Sequence, residues 1–528
     1  MMKLFWQQQQ KVMGYGDARQ MRWHPTMIRF CLSIALKSPS AYDQLSKVLK
    51  LPSRRRLRDY KNVIKPKAGF NKDVIKELIS TTKEYVGIQH YIALLFDEMK
   101  IQCNLIFDKE TNELVGFVDF GEPSINYVTL DDVDELASHA LVFYVRGLAT
   151  DLNFCLAFFA THDVTALQLM PLFWRAVSIL ELTCNLWVIS ATADGASCNR
   201  KFFKFHEDLQ KDSADKSVVY KTINIFKPHR NIYFFSDAPH LMKTCRNCLY
   251  HSGVGCTRYL WDNGKHLIWD HISNMYRLDL DCGLHLVPKL TADHILLTSY
   301  STMRVKLAVQ ILSNTVSTAL KHLMSDEASE TAMLCSMMNK FFDCGNVRST
   351  TEHNWKNNDD VKPYQDPDDD RLLWLTEVFL PYFESWKSSI SKRTGNFSPQ
   401  QQQNMFISWQ TYEGIKMTSY SLIEAVRFLL KEGFKFVLTE RFCQDVVEEY
   451  LGYLRAIGNR NDNPNLFEFG YNANALSIQR NILPAIQGNV AGRHSKKQKN
   501  STEIDDTPLK ARKSKSNKKT LYNIVDSC

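Results

Sequence analysis

Two aspartates in this 528-residue chain stand immediately behind apolar runs. Tyr91 to Phe96 is uninterrupted apolar sequence ending in Asp97-Glu98, and Trp187 to Ala191 leads into Asp194-Gly195-Ala196. Runs of that length and texture predict buried central strands that deliver carboxylates at their C-terminal ends. A third acid, Glu448, lies in Thr439 to Arg455, which reads as a helix with Asp445 three residues earlier on the same face. Phosphodiester chemistry with two divalent cations needs such a set. Hard oxygen ligands at the edge of a rigid sheet hold Mg²⁺, and the metal pair stabilises the attacking and leaving oxygens. Strand-end aspartates also serve as caps and turn formers, so residue type and spacing alone leave both readings open.

The elements that must position these acids can be read outward from them. Gln102 to Phe107 and Leu114 to Phe120, separated by the polar stretch 108–113, predict a hairpin. Residues 138–160 hold another apolar run, and 164–183 read as an amphipathic helix. Strand, hairpin, strand, helix, strand is the order of an RNase H-like core, in which carboxylates on neighbouring strand ends converge. Residues 240–430 are mostly helical in pattern, Met303 to Leu320 and Ala332 to Phe342 being examples, and 359–370 reads as an exposed acidic loop. The N-terminal segment 1–85 also reads as helical. Met27 to Ala35 is followed by the cap signal Lys37-Ser38-Pro39-Ser40, then by Ala41 to Leu51 and by Arg54 to Tyr60. Helix, short turn, helix with Arg54, Arg55, Arg56 and Arg58 is compatible with a helix-turn-helix-like DNA reader, or with a basic surface helix packed on the body.

Composition bounds the class. Hydrophobic residues make up 44% and charged residues 23%, which excludes wholesale disorder and leaves material for roughly three or four units. Sixteen prolines and 21 glycines exclude a collagen-like chain. Thirteen scattered cysteines predict reduced thiols in an intracellular setting. No uncharged apolar stretch is long enough for a membrane span, and Gln7 to Gln10 sit where a signal peptide needs an apolar core. The net charge of +8 is uneven. Lys47 to Lys76 carries 11 Lys/Arg against 2 Asp/Glu, and Arg493 to Cys528 carries 10 against 4. The remainder is therefore 8 − 9 − 6 = −7. An acidic body with two basic segments suits a protein that meets a polyanion at defined places.

Four ordered blocks carry a family resemblance. Leu95-Phe96-Asp97-Glu98-Met99-Lys100-Ile101 resembles the opening strand of the P-element-type transposases, including their THAP-linked vertebrate members. Ala193-Asp194-Gly195-Ala196-Ser197-Cys198-Asn199-Arg200 is similar to their second block. Ser236-Asp237-Ala238-Pro239-His240-Leu241-Met242-Lys243 resembles their Asp-x-Pro-His-Leu-x-Lys block. Gln444-Asp445-Val446-Val447-Glu448, followed by Asn461-Asp462-Asn463-Pro464, resembles their last acidic block. The resemblance covers about residues 1–470. It departs from the family at Cys443, where serine is common, at Asn459-Arg460, where a glycine-containing pair is common, and in having no Cys-x-Cys-type start matching the zinc-coordinating THAP domain.

The resemblance implies an α/β protein: an RNase H-like catalytic core split by a large, mostly helical insertion of GTP-binding type, behind an N-terminal helix-turn-helix-like segment. The implied division is 1–85 for DNA binding or oligomerisation, 86–225 and 431–487 for the two parts of the core, 226–430 for the insertion, and 488–528 for a basic disordered tail. Asp97, Asp194 and Glu448 stand at the catalytic and metal-binding positions, holding two Mg²⁺. Asp237, Lys243, Asp343, Asn346 and Asp445 stand at nucleotide-contact positions, with GTP as a structural cofactor. No Walker-type Gly-x-x-x-x-Gly-Lys-Ser/Thr occurs, so a GTP site rests on the resemblance alone and a GTPase switch ranks last. The implied activity is cut-and-paste DNA transposition on transposon ends and target duplex, by a homo-oligomer of at least two copies, without membrane attachment. The clusters at Lys496-Lys497-x-Lys499 and Lys510 to Lys519 read as nuclear localisation signals, with a DNA-binding tail or a solubilising terminus as the alternatives. The alternative is a domesticated, non-catalytic DNA-binding or regulatory protein that keeps the fold. Cys245-x-x-Cys248 with His240 and His251 has a zinc-like look, but no second cysteine pair has finger spacing. Phe202, Phe203 and Phe205 read as core rather than as base-stacking residues.

Overall fold

Tyr91–Lys100 (β1) forms a strand because its first six residues are apolar and can be buried from both sides, and all six are buried. It is the third strand of a six-stranded sheet with His139–Gly147 (β2), Asn153–Thr161 (β3), Trp187–Ala193 (β4), Lys221–Ile223 (β5) and Asn231–Ser236 (β6). The order is β3-β2-β1-β4-β6-β5. The first three strands are antiparallel, β1, β4 and β6 run parallel, and β5 pairs antiparallel with β6. This is the RNase H-like core expected from the sequence. The computed structural model describes residues 2–14, 21–61, 67–108, 112–130, 134–210, 212–283, 285–457 and 463–480. The basic tail from 488, its lysine clusters, Asn459-Arg460 and Asn461-Asp462 lie outside the described residues.

The antiparallel pair comes from a different stretch than the hairpin signal indicated. The turn at 108–113 does join two strands, Ile106–Asp108 and Glu113–Val115, but they form a small ribbon apart from the main sheet. Phe107 and Leu114 at its tip are exposed, while Val115 at its base packs on the main core and Val118 and Phe120 beyond it are buried there. The run at 138–160 supplies β2 and β3 instead, because its mostly apolar residues are buried, β2 beside β1 and β3 at the sheet edge. Met303 to Leu320 likewise divides into Val305–Ile311 and Asn314–Leu323, with the Ser313 hydroxyl capping the second helix.

The parallel strands are covered on both faces, and the alternation along β6 shows how. Ile232 and Phe234 enter one core with β1, β2, β3 and the Ala166–Ser178 helix. Tyr233 and Phe235 enter a second core built from the Ala238–Tyr250, Ser329–Gly345 and Trp409–Lys431 helices and their neighbours. The chain between Ser236 and Asp445 is mostly helical, and the Trp409–Lys431 helix brings it back onto the sheet. Ser421 donates its hydroxyl hydrogen bond to Phe234 O, and Thr418 donates to Ser236 O. Gly414 permits this approach, since a Cβ there would stand 2.7 Å from Leu241 Cδ2 and 3.0 Å from Ser236 Oγ.

The N-terminal helices have a small core of their own, containing Trp23, Met27, Ile28, Cys31, Leu32, Tyr42 and Leu57. Ser38 ends the Pro25–Lys37 helix through its N–H to Ile34 O and caps Pro39–Val48 through its hydroxyl. On the Arg54–Lys61 helix, Arg54 pairs with Asp43 at 3.0 Å and Arg56 donates to Met21 O, while Arg55 and Arg58 are exposed.

After the return helix, one buried ion pair anchors the chain to the sheet. Arg146 of β2 donates to both carboxylate oxygens of Glu440 at 2.9 Å and to Glu440 O at 2.8 Å. Burial pushes the Glu440 carboxyl up, but Arg146, with Arg348 and Arg441 farther off, more than cancels this and holds it below the ordinary carboxylate range. A depressed acid stabilises the fold above its unfolded pKa, and that stabilisation is lost as pH falls through the folded value. Arg146→Ala is expected to cost about 3–5 kcal/mol at pH 7, because it leaves a buried charge unpaired. In urea unfolding the wild type should lose stability below roughly pH 4, while the variant's curve is flatter there. Equal curves would remove the anchoring role.

Candidate active site

Register alone aligns three acids across the sheet. Leu95 of β1 stands opposite Thr192 of β4, and Thr192 stands opposite Phe235 of β6. Two residues farther along each parallel strand come Asp97, Asp194 and Asp237. Side-chain contacts then separate their roles. Asp97 Oδ1 accepts the N–H of Glu98. Asp194 Oδ1 accepts Ala196 N at 2.9 Å and the amide of the buried Asn199 at 2.6 Å. Asp237, 2% exposed, caps the Ala238–Tyr250 helix by accepting His240 N and also accepts Gln444 N. With both oxygens occupied and almost no surface, Asp237 is a structural joint in this arrangement.

Glu448 reaches the same edge from a distant part of the sequence, and Gln444 is the residue that brings it there. Phe442 O accepts the Thr192 hydroxyl at 2.7 Å, and the Phe442 ring stacks on Phe235. The Gln444 side-chain amide donates to Phe96 O at 2.7 Å, while its N–H donates to Asp237. Three strand ends are thus tied to the residue that precedes the Asp445–Ile457 helix, and Glu448 sits in that helix's first turn. Acids in a first turn also suit the helix dipole. Glu448 is half exposed and stands 3.8 Å from His240 Nε2. Gln444 lies inside the last acidic motif, which by itself assigns it no role. Its only signal was a side-chain amide next to a helix start.

The electrostatics mark these acids as one cluster. Burial, then the charge of Asp194, and after it Glu448 and Glu98, push the Asp97 carboxyl up to about 7, against the Glu98 N–H, which lowers it. Burial also raises Glu98, whose Oε1 accepts the Thr161 hydroxyl. Burial, then Asp445, pushes Asp237 well above the carboxylate range. Lys243 lies among them. Burial lowers its pKa against the pull of Glu448, Asp237, Asp194 and Asp97.

Among the described residues, no group of three His, Cys, Asp or Glu side chains is closed around a point where a metal ion could sit. This holds for the acids as they stand and for the zinc-like set, in which Cys245 is buried and Cys248 accepts Ser408 N. The acidic set nevertheless fits divalent magnesium in donor type: clustered hard oxygens, with Asp97 buried and its carboxyl raised by burial and then by its acidic neighbours.

The five nucleotide positions divide. Asp237, Lys243 and Asp445 lie at or beside the strand ends. Asp343 lies apart, its Oδ2 accepting the amides of Asn339 and Asn358. Asn346, buried, and Asp445 converge on a single guanidinium, that of Arg348. An amide oxygen and a carboxylate facing a planar N–H array match the donor edge of guanine. A cleft of about 300 Å³ lined by Glu77, Asp151, Tyr450 and Ser477 opens at the opposite end of the strands. Phe202 and Phe203 are core residues packed with Phe96 and Phe234, whereas Phe205 is partly exposed.

Comparison with known proteins gives the same two parts. Residues 66–207 match the family described as TNP-like, RNase H N-terminal domain, and residues 239–358 match TNP-like, GTP-binding insertion domain. The Transposable element P transposase of Drosophila melanogaster is 27% identical over 269 residues, 50% of this chain and 32% of its own length. The DNA transposase THAP9 of Homo sapiens is 24% identical over 337 residues, 61% of this chain and 35% of its own length. The match thus spans about a third of each curated relative. Among solved structures, the Drosophila P element transposase strand transfer complex superposes with a TM-score of 0.71 at 23% identity, covering 91% of this chain and 97% of that one, and so shares the fold.

The raised Asp97 carboxyl has a measurable consequence. An acid whose folded pKa is raised makes the folded state the better proton binder between the two values, so stability falls as pH rises from roughly 4 to 7. Asp97→Asn removes that loss. In chelator it should be more stable than wild type by about 1–3 kcal/mol at pH 8, and the advantage should shrink toward pH 4. A variant less stable than wild type at pH 8 would show that Asp97 is not charge-strained.

Proposed function

We propose that this chain, a homologue of the P-element-type transposases, is a DNA transposase that cuts and joins phosphodiester bonds in the nucleus. Asp97, Asp194 and Glu448 would hold the metal ions. The observation that carries the reading is the register that puts Asp97 beside Asp194, together with the Gln444 link that brings Glu448 to the same edge. When bound, a pair of Mg²⁺ would supply activation of the attacking water or 3′-hydroxyl and stabilisation of the leaving oxygen.

The protein's own contribution is positioning. Asp97, within β1, and Asp194, just past the end of β4, cannot shift independently, because β1 and β4 are adjacent in one sheet. Asn199 and Ala196 N–H fix one oxygen of Asp194. Glu448 is the adjustable member, exposed and on a helix turn. Lys243 offers a cation beside these carboxylates, able to meet a phosphate. The insertion is read as a guanine-nucleotide site at Asn346 and Asp445, with GTP organising the surface rather than fuelling the reaction. Arg55 and Arg58, exposed on the Arg54–Lys61 helix, would contact DNA phosphates. Cutting two element ends requires at least two copies.

The test uses duplexes carrying the inverted repeats that flank the gene. Wild-type chain should cleave and join them with Mg²⁺ and stop with EDTA. Asp97→Asn, Asp194→Asn and Glu448→Gln should each lower the rate at least about 10³-fold while still binding the duplex. Binding without any cleavage by the wild type would favour a domesticated, non-catalytic DNA-binding protein.

A further inference from the structure

One guanidinium closes the seam between the insertion and the helix that carries Glu448. Arg348 follows the Ser329–Gly345 helix by three residues. Its Nε donates to Asn346 Oδ1 at 3.1 Å, and its Nη2 donates to Asp445 Oδ2 at 2.8 Å. Asn346 is buried, while the Arg348 and Asp445 side chains are 22% and 32% exposed, so the cation occupies a position open to solvent on one side. Asp445 begins the helix in which Glu448 follows one turn later.

This inference rests on the nucleotide reading above, in which Asn346 and Asp445 receive guanine. Both acceptors are engaged by Arg348 in this structure. The coincidence has a chemical basis. Arginine presents Nε–H and Nη–H in a plane, and guanine presents N1–H and its 2-amino group in a plane. A carboxylate with a neighbouring amide oxygen accepts either array. Adenine offers an acceptor at N1 and would set a lone pair against the carboxylate.

We propose that Arg348 is an internal stand-in for guanine. It satisfies Asn346 and Asp445 when no nucleotide is bound and leaves them when a guanine nucleotide arrives. Nucleotide occupancy is then read at Asp445, on the same face and one turn ahead of Glu448. Arg348 is a positioning residue in this scheme: in its bound place it keeps the first turn of the Asp445–Ile457 helix fixed to the insertion, and guanine takes over that tie.

A stand-in and a simple structural ion pair predict opposite signs. Binding of a fluorescent N-methylanthraniloyl-GTP to the full chain, with ATP as competitor, measures this for wild type, Arg348→Ala, Arg348→Gln and Asp445→Asn. Removing an internal competitor should tighten GTP binding about three- to fivefold in both Arg348 variants, the factor that a partly exposed ion pair is worth. Asp445→Asn should weaken it, and ATP should compete poorly throughout. Phenylglyoxal labelling of the wild type, read by mass spectrometry, is independent of how the variants fold. Labelling of Arg348 should rise when GTP is added. Wild-type binding with equal or weaker binding in both Arg348 variants, or labelling of Arg348 that GTP leaves unchanged, overturns the stand-in and leaves the nucleotide site intact. No GTP binding by any of the four chains overturns the nucleotide reading and the stand-in together.

Discussion

Like charges at the end of a sheet repel, and this chain holds them together through backbone register. Asp97 lies within β1, and Asp194 and Asp237 directly follow β4 and β6, three parallel strands whose hydrogen bonds leave no freedom to separate them. The strands stay in place because they are buried on both faces, β6 between two cores and β1 almost wholly within one. Burial first, and the neighbouring acids after it, raise the proton affinity of both Asp97 and Asp237. A site that keeps carboxylates crowded without a cation is prepared to bind one.

The remainder of the structure serves that edge from a distance. The whole helical insertion separates β6 from the helix bearing Glu448, yet the return point is specified by few contacts: the buried Arg146–Glu440 pair, the Thr192 hydroxyl on Phe442 O, and the Gln444 amide on Phe96 O. These contacts join the acidic edge of the sheet to the end of the insertion. Any shift of the insertion relative to the sheet would act on residues 440–445 first, and through them on Glu448. Arg348 lies at the same junction, so that a nucleotide taken up there would be felt by the helix bearing Glu448 without a separate relay.

Much of the core was legible in the sequence, because strands buried on both faces announce themselves as apolar runs. Tyr91 to Phe96 and Trp187 to Ala191 pointed to both strand-end aspartates directly. The middle strands were harder to place. The turn signal at 108–113 was genuine, but turn chemistry does not reveal which hairpin joins the sheet, and burial decided for 139–161. Glu448 could be tied to the aspartates only through a motif resemblance, since contacts between segments so far apart in the chain leave no periodic trace. Gln444, Arg146 and Arg348 were invisible for the same reason. A polar side chain that donates across the fold looks like any surface residue until its partner is known. Asp237 carried the opposite lesson: its motif suggested ligand contact, and its burial gives both oxygens to the protein.

The most direct test is crystallographic: the full chain with Mn²⁺ and a duplex, with anomalous scattering to locate the metal. The account predicts manganese between Asp97 and Asp194, with Glu448 turned inward as a further ligand. Manganese bound elsewhere, or density that leaves those three side chains apart in the presence of saturating metal and DNA, would contradict it.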